Sequence, residues 1–178
     1  MPDYRRYHLS GGCYFFTVNL AERRKTLLVD SVDLLRRVVR AVRSRHPFRI
    51  DAMVILPDHL HAVWTLPPND SDFATRWALI KAGFSRGFPR GEPTSASRRR
   101  RGERGIWQRR FWEHAIRDED DYRRHVDYVH FNPVKHGHVT RAVEWPYSSF
   151  HGFVRRGVYP ANWAGADDEL GAELGERL

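Results

Sequence analysis

The stretch FRIDAMVILPDHLHAVWTL, residues 48–66, decides how the rest of the chain is read. Its two runs, FRIDAMVIL and HLHAVWTL, are rich in β-branched and aromatic residues. Between them stands Pro57-Asp58, a pair suited to a short turn, so the stretch predicts a β-hairpin. The second run carries two histidines one residue apart. Residues two apart on a strand share a face, so His59 and His61 point together while Leu60, Ala62 and Trp64 point to the other side.

Working outward, CYFFTVNL (13–20) follows Gly11-Gly12 and reads as a first strand. In SVDLLRRVVRAVRSRH (31–46), Val32, Leu35, Val38, Val39 and Val42 fall at helical spacing and Pro47 ends the run, predicting an amphipathic helix with a basic outer face. After Pro67-Pro68, a second helix is expected over residues 72–86. The following segment, 87–105, is Pro, Gly, Ser and Arg with hardly an apolar residue. Such a composition predicts a mobile basic loop, either a solvated insertion or an arm that meets phosphates. IWQRRFWEHAIR should contain a strand. A third helix is expected to open at Asp118 as N-cap, with an acidic first turn, and to be limited by Pro133. The order strand, helix, strand, strand, helix, strand, helix predicts an α+β fold of ferredoxin-like type, an antiparallel sheet with helices packed on it. One domain over residues 1–165 is expected, followed by an acidic tail at 166–178 that either solubilises the chain or folds over a basic cleft.

The 178 residues, 41% of them hydrophobic, suffice for one core. Thirty Lys and Arg against 22 Asp and Glu give a net charge of +8, which points to a polyanionic partner. No run approaches the ~20 apolar residues that span a bilayer, so nucleic acid is favoured over a membrane. The opening MPDYRRYHLSGG is too polar for a secretory signal. The single Cys13 excludes an intramolecular disulfide and a cysteine-rich zinc cluster, and is compatible with a reducing cytoplasm. Trp107 and Trp112 flank Arg109 and Arg110 in WQRRFW, a mixture suited to stacked bases and phosphates, although most tryptophans are expected in the core.

The ring nitrogens of His59 and His61 can converge on one metal ion, which needs a third ligand; two half-exposed histidines on an edge strand are the alternative. Tyr128 and Asn132, four apart in YVHFN, lie on one helical face, and His125 joins it three residues earlier. Tyr122, Val126 and Val129 form an adjacent apolar stripe that can pack on the sheet. If this helix lies beside the histidine strand, Asn132 can offer an amide oxygen to the same ion and Tyr128 can aim its phenolate there. A tyrosine with a pKa near 10 is a poor nucleophile unaided, and a metal-polarised phosphate is the electrophile that suits it. A nitrogen and oxygen donor set without thiolate favours Mg²⁺ or Mn²⁺, although Zn²⁺ also binds imidazoles. Asp58 either orients a histidine, adds a ligand or simply serves the turn.

His59-Leu60-His61 resembles the HUH motif (His, hydrophobic, His), and Tyr128 with Asn132 resembles the tyrosine helix of single-tyrosine HUH transposases. More narrowly, four blocks are similar to REP-associated tyrosine transposases: YRRYHLSGGCYFFTVNLAERR, LPDHLHAVWTLP, IWQRRFWEHAIRDEDDYRRHVDYVHFNPVKHG and WPYSSFHGFVRRGVYPANWAG. The resemblance implies a ferredoxin-like HUH domain that binds a single-stranded DNA hairpin, a REP-like palindrome, and cleaves beside it. It implies that His59, His61 and Asn132 hold the divalent ion and that Tyr128 attacks the scissile phosphate, giving a 5′-phosphotyrosine link. It assigns a guide sequence near the hairpin foot to Arg5, Arg6 and Tyr7, and a cytoplasmic, nucleoid-associated location. The short HFNPVKHG connection suggests a monomer acting in cis. Two alternatives stand beside it. One is a domesticated hairpin-binding module that no longer cleaves; the other is a water-using metallo-phosphoesterase in which Tyr128 only positions substrate.

Overall fold

The computed structural model describes residues 8–163; Arg5, Arg6, Tyr7 and the acidic tail lie outside the described residues. In chain order the elements are β1 (Cys13–Asn19), α1 (Leu27–Asp30), α2 (Val32–Arg45), β2 (Arg49–Ile55), β3 (His59–Thr65), α3 (Phe73–Arg86), α4 (Ala96–Arg100), β4 (Trp112–Ala115), α5 (Glu119–Lys135) and α6 (Phe150–Arg155), with a 3₁₀ turn at Ala142–Glu144. The strands form an antiparallel sheet in the order β2-β3-β1-β4, the ferredoxin-like arrangement that the alternation of strands and helices predicts.

Two apolar layers sandwich the sheet. Tyr14, Phe16 and Val18 of β1 and Leu60, Ala62 and Trp64 of β3 face α2 and α3, where they meet Leu35, Val39, Trp77, Ile80 and Phe84. Trp64 stacks on Trp77 with ring centroids 4.1 Å apart. On the opposite face, Phe15, Val54 and Val63 pack against Val126, Tyr128 and Val129 of α5. Because β1 and β3 are covered on both sides, their apolar residues run nearly without interruption. The polar residues that break the pattern, Thr17, His59 and His61, therefore stand out, and they are buried.

The outer edge of β2 is covered by residues 145–149. Ile55 N donates to Tyr147 O at 2.9 Å, Ser149 N to Met53 O at 2.8 Å, and the Trp145 indole to Ile55 O at 3.0 Å. An exposed strand edge is thereby closed to pairing with other chains.

At the N-terminus of α5 the Asp118 side chain accepts from Asp121 N at 2.8 Å, and Glu119, Asp120 and Asp121 fill the first turn, as the macrodipole favours. At its other end the expectation is corrected: Pro133 lies inside the helix, which runs on to Lys135. Proline removes one helical hydrogen bond, but the last turn is closed by others. His138 N donates to Pro133 O and Gly137 N to Val134 O, both at 2.9 Å, and Gly137 takes φ +70°. That is a Schellman closure, with glycine in the left-handed conformation that other residues avoid.

Segment 87–105 carries the short helix α4, capped by Ser95, whose hydroxyl accepts from Arg98 N at 3.3 Å. Arg104 pairs with Glu92 and donates to the carbonyls of Ser85, Phe88 and Pro89. Polar contacts give this apolar-poor segment its form, which a count of hydrophobic residues does not register. Trp107 is buried beneath it, in an isolated bridge with Leu20, and belongs to the core and not to an exposed stacking surface.

Candidate active site

The pairing of β1 with β3 sets Thr17 opposite His61 and Asn19 opposite His59. Residues opposite in an antiparallel pair share a face, so both histidines look toward α5. The rings lie 5.0 Å apart at a steep mutual angle. Each has its Nδ1 engaged: His59 Nδ1 lies 2.7 Å from Asp58 Oδ1, and His61 Nδ1 lies 2.9 Å from Thr17 Oγ1. Burial opposes ionisation of Asp58, but hydrogen bonds from His59 and Arg23 outweigh it and bring its pKa down to about 2. An ionised carboxylate only accepts, so the proton of the first bond sits on His59 Nδ1. Asp58 thus orients a histidine as well as serving the turn.

Helix α5 crosses this pair in a definite register. The Tyr128 ring stands 5.3 Å from His61, and the His136 ring, at the helix C-cap, stands 5.1 Å from His59. Asn132 is four residues from each, so it occupies the middle of the same helical stripe, and it is fully buried. The sheet and the helix together bring His59, His61, Tyr128 and Asn132 to one place. Lys135 adds to the group by donating to the Tyr128 hydroxyl at 3.2 Å.

Over 178 aligned residues the chain is 47% identical to the REP-associated tyrosine transposase of Escherichia coli K12, a match covering all of this chain and 99% of the relative. The chain belongs to the REP-associated tyrosine transposases. A protein of Haemophilus influenzae carrying the same family name is 44% identical, over 94% of this chain and 96% of its own length. Among solved structures, a REP-associated tyrosine transposase bound to a REP hairpin superposes with a TM-score of 0.83 at 47% identity, covering 100% of this chain and 99% of the other. No family model matches the chain. The alignment with the E. coli transposase extends past residue 165, where the motif blocks end.

In this member of the family His125 does not join the group around Tyr128. Three residues of a 3.6-residue helix leave it about 60° out of line with Tyr128, and its ring turns toward β4, stacking on His114 at 4.7 Å. Phe15 separates it from His61, with ring distances of 4.9 and 5.5 Å to the two histidines. There His114, Asp121 and His125 form a second cluster. His114 Nε2 lies 2.9 Å from Asp121 Oδ2, Arg117 N donates to the same oxygen at 2.9 Å, and His125 Nδ1 donates to Asp121 O at 2.7 Å. Burial opposes ionisation of Asp121, but the bonds from His114 and Arg117 hold its carboxyl well below the usual carboxylate range. Burial also lowers the His125 pKa, keeping that ring neutral. The ligand atoms of the three residues all lie within 4.8 Å of one another, a spacing that can hold a metal ion. Arg117 and Arg124, 3.3 and 3.8 Å from the Asp121 carboxylate, compete with any cation for it.

Arg109 and Arg110 are exposed, and Arg109 pairs with Glu103 at 2.9 Å. Among the described residues no helix is long and apolar enough to cross a membrane. Three members of the site escape a reading of the sequence. Lys135 and His136 follow Tyr128 at helical spacing, seven and eight residues on, but ending the helix at Pro133 hides them. Thr17 needs the strand register, which no local pattern supplies.

Proposed function

We propose that this chain is a metal-dependent single-stranded DNA endonuclease and strand transferase that binds REP-like palindromic hairpins and cleaves through Tyr128. The observation that carries this reading is the register of α5 on β3: Tyr128 faces one histidine, His136 the other, and Asn132 lies between. The hairpin enters from the related transposase, whose structure holds a REP hairpin. The basic surface of a +8 chain suits that ligand.

The donor set fits a divalent ion. His59 and His61 have Nδ1 held by Asp58 and Thr17, the orienting arrangement typical of ligating histidines, so Nε2 is the nitrogen each presents to a metal. Asn132 contributes a buried amide oxygen. Without a thiolate, and for phosphate chemistry, Mg²⁺ or Mn²⁺ is the expected ion. When bound, it supplies Lewis-acid polarisation of the scissile phosphate. Tyr128 Oη then bonds to phosphorus and the bond from phosphorus to the 3′-oxygen breaks. The phenolic proton ends on that oxygen, leaving a 5′-phosphotyrosine and a 3′-OH that can attack in reverse. Within one chain α5 already sets the tyrosine against the histidine pair, which supports a monomer acting in cis.

The test incubates the protein with labelled single-stranded palindromic oligonucleotides in Mn²⁺ or in EDTA, followed by a denaturing gel. A covalent protein–DNA band in Mn²⁺ that disappears in EDTA is expected. Tight binding with no band in either condition would replace this reading with a hairpin-binding module that does not cleave. The orienting role of Thr17 is checked separately: Thr17→Val keeps the side-chain shape but loses the bond to His61. It should weaken Mn²⁺ binding by about 10–100-fold in calorimetric titration, and an unchanged affinity would remove Thr17 from the site.

A further inference from the structure

Lys135 lies two turns beyond Tyr128 on α5, about 10 Å along the axis, yet its side chain reaches back to the tyrosine. Its ammonium donates to Tyr128 Oη at 3.2 Å and sits 4.8 Å from the centre of the ring. A basic residue in the last turn of a helix commonly serves the C-terminal carbonyls. Here His138 N and Gly137 N serve the carbonyls of Pro133 and Val134, and the ammonium meets the oxygen that the proposed reaction makes reactive.

Resting on the tyrosine-transfer reading above, we propose that Lys135 is a catalytic residue that contacts the scissile phosphate from the tyrosine side. The argument is stereochemical. When Tyr128 Oη bonds to phosphorus it becomes one corner of the phosphate, and the non-bridging oxygens are the neighbouring corners. An ammonium already hydrogen-bonded to Oη is within reach of them. Lysine has three donors on a flexible stem, so one can stay on Oη while another meets an anionic oxygen. Charge accumulates on those oxygens in the transition state, and a cation already in place stabilises it without reorganising. The lysine remains protonated throughout; the tyrosine's proton still ends on the departing 3′-oxygen. The histidine pair would hold the ion, and the lysine would meet the phosphate directly.

The experiment uses the full chain with Lys135→Gln, which keeps length without charge, and Lys135→Arg, which keeps charge. Adduct formation is followed in a single turnover on a saturating labelled hairpin with Mn²⁺. Rejoining is followed by adding a 3′-OH strand to the adduct, hairpin affinity is measured in EDTA, and melting temperature is recorded. Glutamine is expected to slow adduct formation by about 10²-fold and rejoining by the same factor, since both directions share one transition state. Affinity and melting temperature should stay near wild type, and arginine should recover most of the rate. A wild-type rate in Lys135→Gln, or a loss matched by weaker hairpin binding or lower melting temperature, would overturn the role. No adduct in the wild type either would sink the tyrosine-transfer reading and this assignment with it.

Discussion

Phenylalanine at position 128 is expected to abolish the covalent protein–DNA adduct, by roughly 10³-fold or more, while hairpin binding and melting temperature stay near wild type. The ring of Tyr128 is a packing element, set against Phe15 and His61 in the layer beneath α5. Tyr128→Phe keeps that packing and removes only the hydroxyl, together with its bond from Lys135. Tyr122→Phe is the matched control. Its ring packs at the margin of the same layer and burial pushes its hydroxyl up to about 12, so it is poorly placed to ionise, and its loss should leave the adduct intact. Scoring both variants on the same denaturing gel, with Mn²⁺ present, decides the matter. Cleavage that survives in Tyr128→Phe would mean that water attacks the phosphate and the tyrosine only positions it.

The second large effect concerns stability. Asp121→Ala should destabilise the fold by about 3 kcal/mol, read as a lower denaturant midpoint. The buried carboxylate ties the first turn of α5 to His114 on β4 and to the backbone and side chain of Arg117. Alanine would take this acceptor from the half-buried His114 ring and from the Arg117 backbone N–H, while the exposed Arg117 side chain turns to water. The pH dependence has a definite sign. The folded pKa of Asp121 is depressed below its ordinary 3.8, so its contribution is full above that value and is lost as pH falls through the depressed one. Wild-type stability should therefore decline in strong acid more steeply than that of Asp121→Ala. Equal acid sensitivity in the two would count against this account.

Much of this architecture is legible in the chain because its signals are local. The hairpin over residues 48–66, the helix from Asp118 and the face shared by His59 and His61 follow from periodicity and turn chemistry, and the structure places them within a residue or two of expectation. Tyr128 and Asn132 are legible for the same reason, being one helical turn apart. The losses are of two kinds. Pro133 reads as a helix stop, a rule that yields when the following residues can form a Schellman closure, and that reading hides Lys135 and His136. Thr17, Phe15 and His114 matter through strand register, and register is a property of two segments distant in sequence. His125 shows the opposite error: its spacing reads as the face of Tyr128, but the 3.6-residue period sets it aside, stacked on His114 in another cluster.

The Schellman closure at Gly137 makes α5 continuous from Glu119 to Lys135, and that continuity divides the site into two jaws. The hairpin jaw carries Asp58, His59 and His61; the helix jaw carries Tyr128, Asn132, Lys135 and, at its cap, His136. Any displacement of α5 moves the proposed nucleophile, the amide and the ammonium together, so the site can part along one seam without being dismantled residue by residue. A chain that lent this helix to a second copy would hand over the whole helix jaw at once, and the histidines left behind would wait for an equally complete replacement.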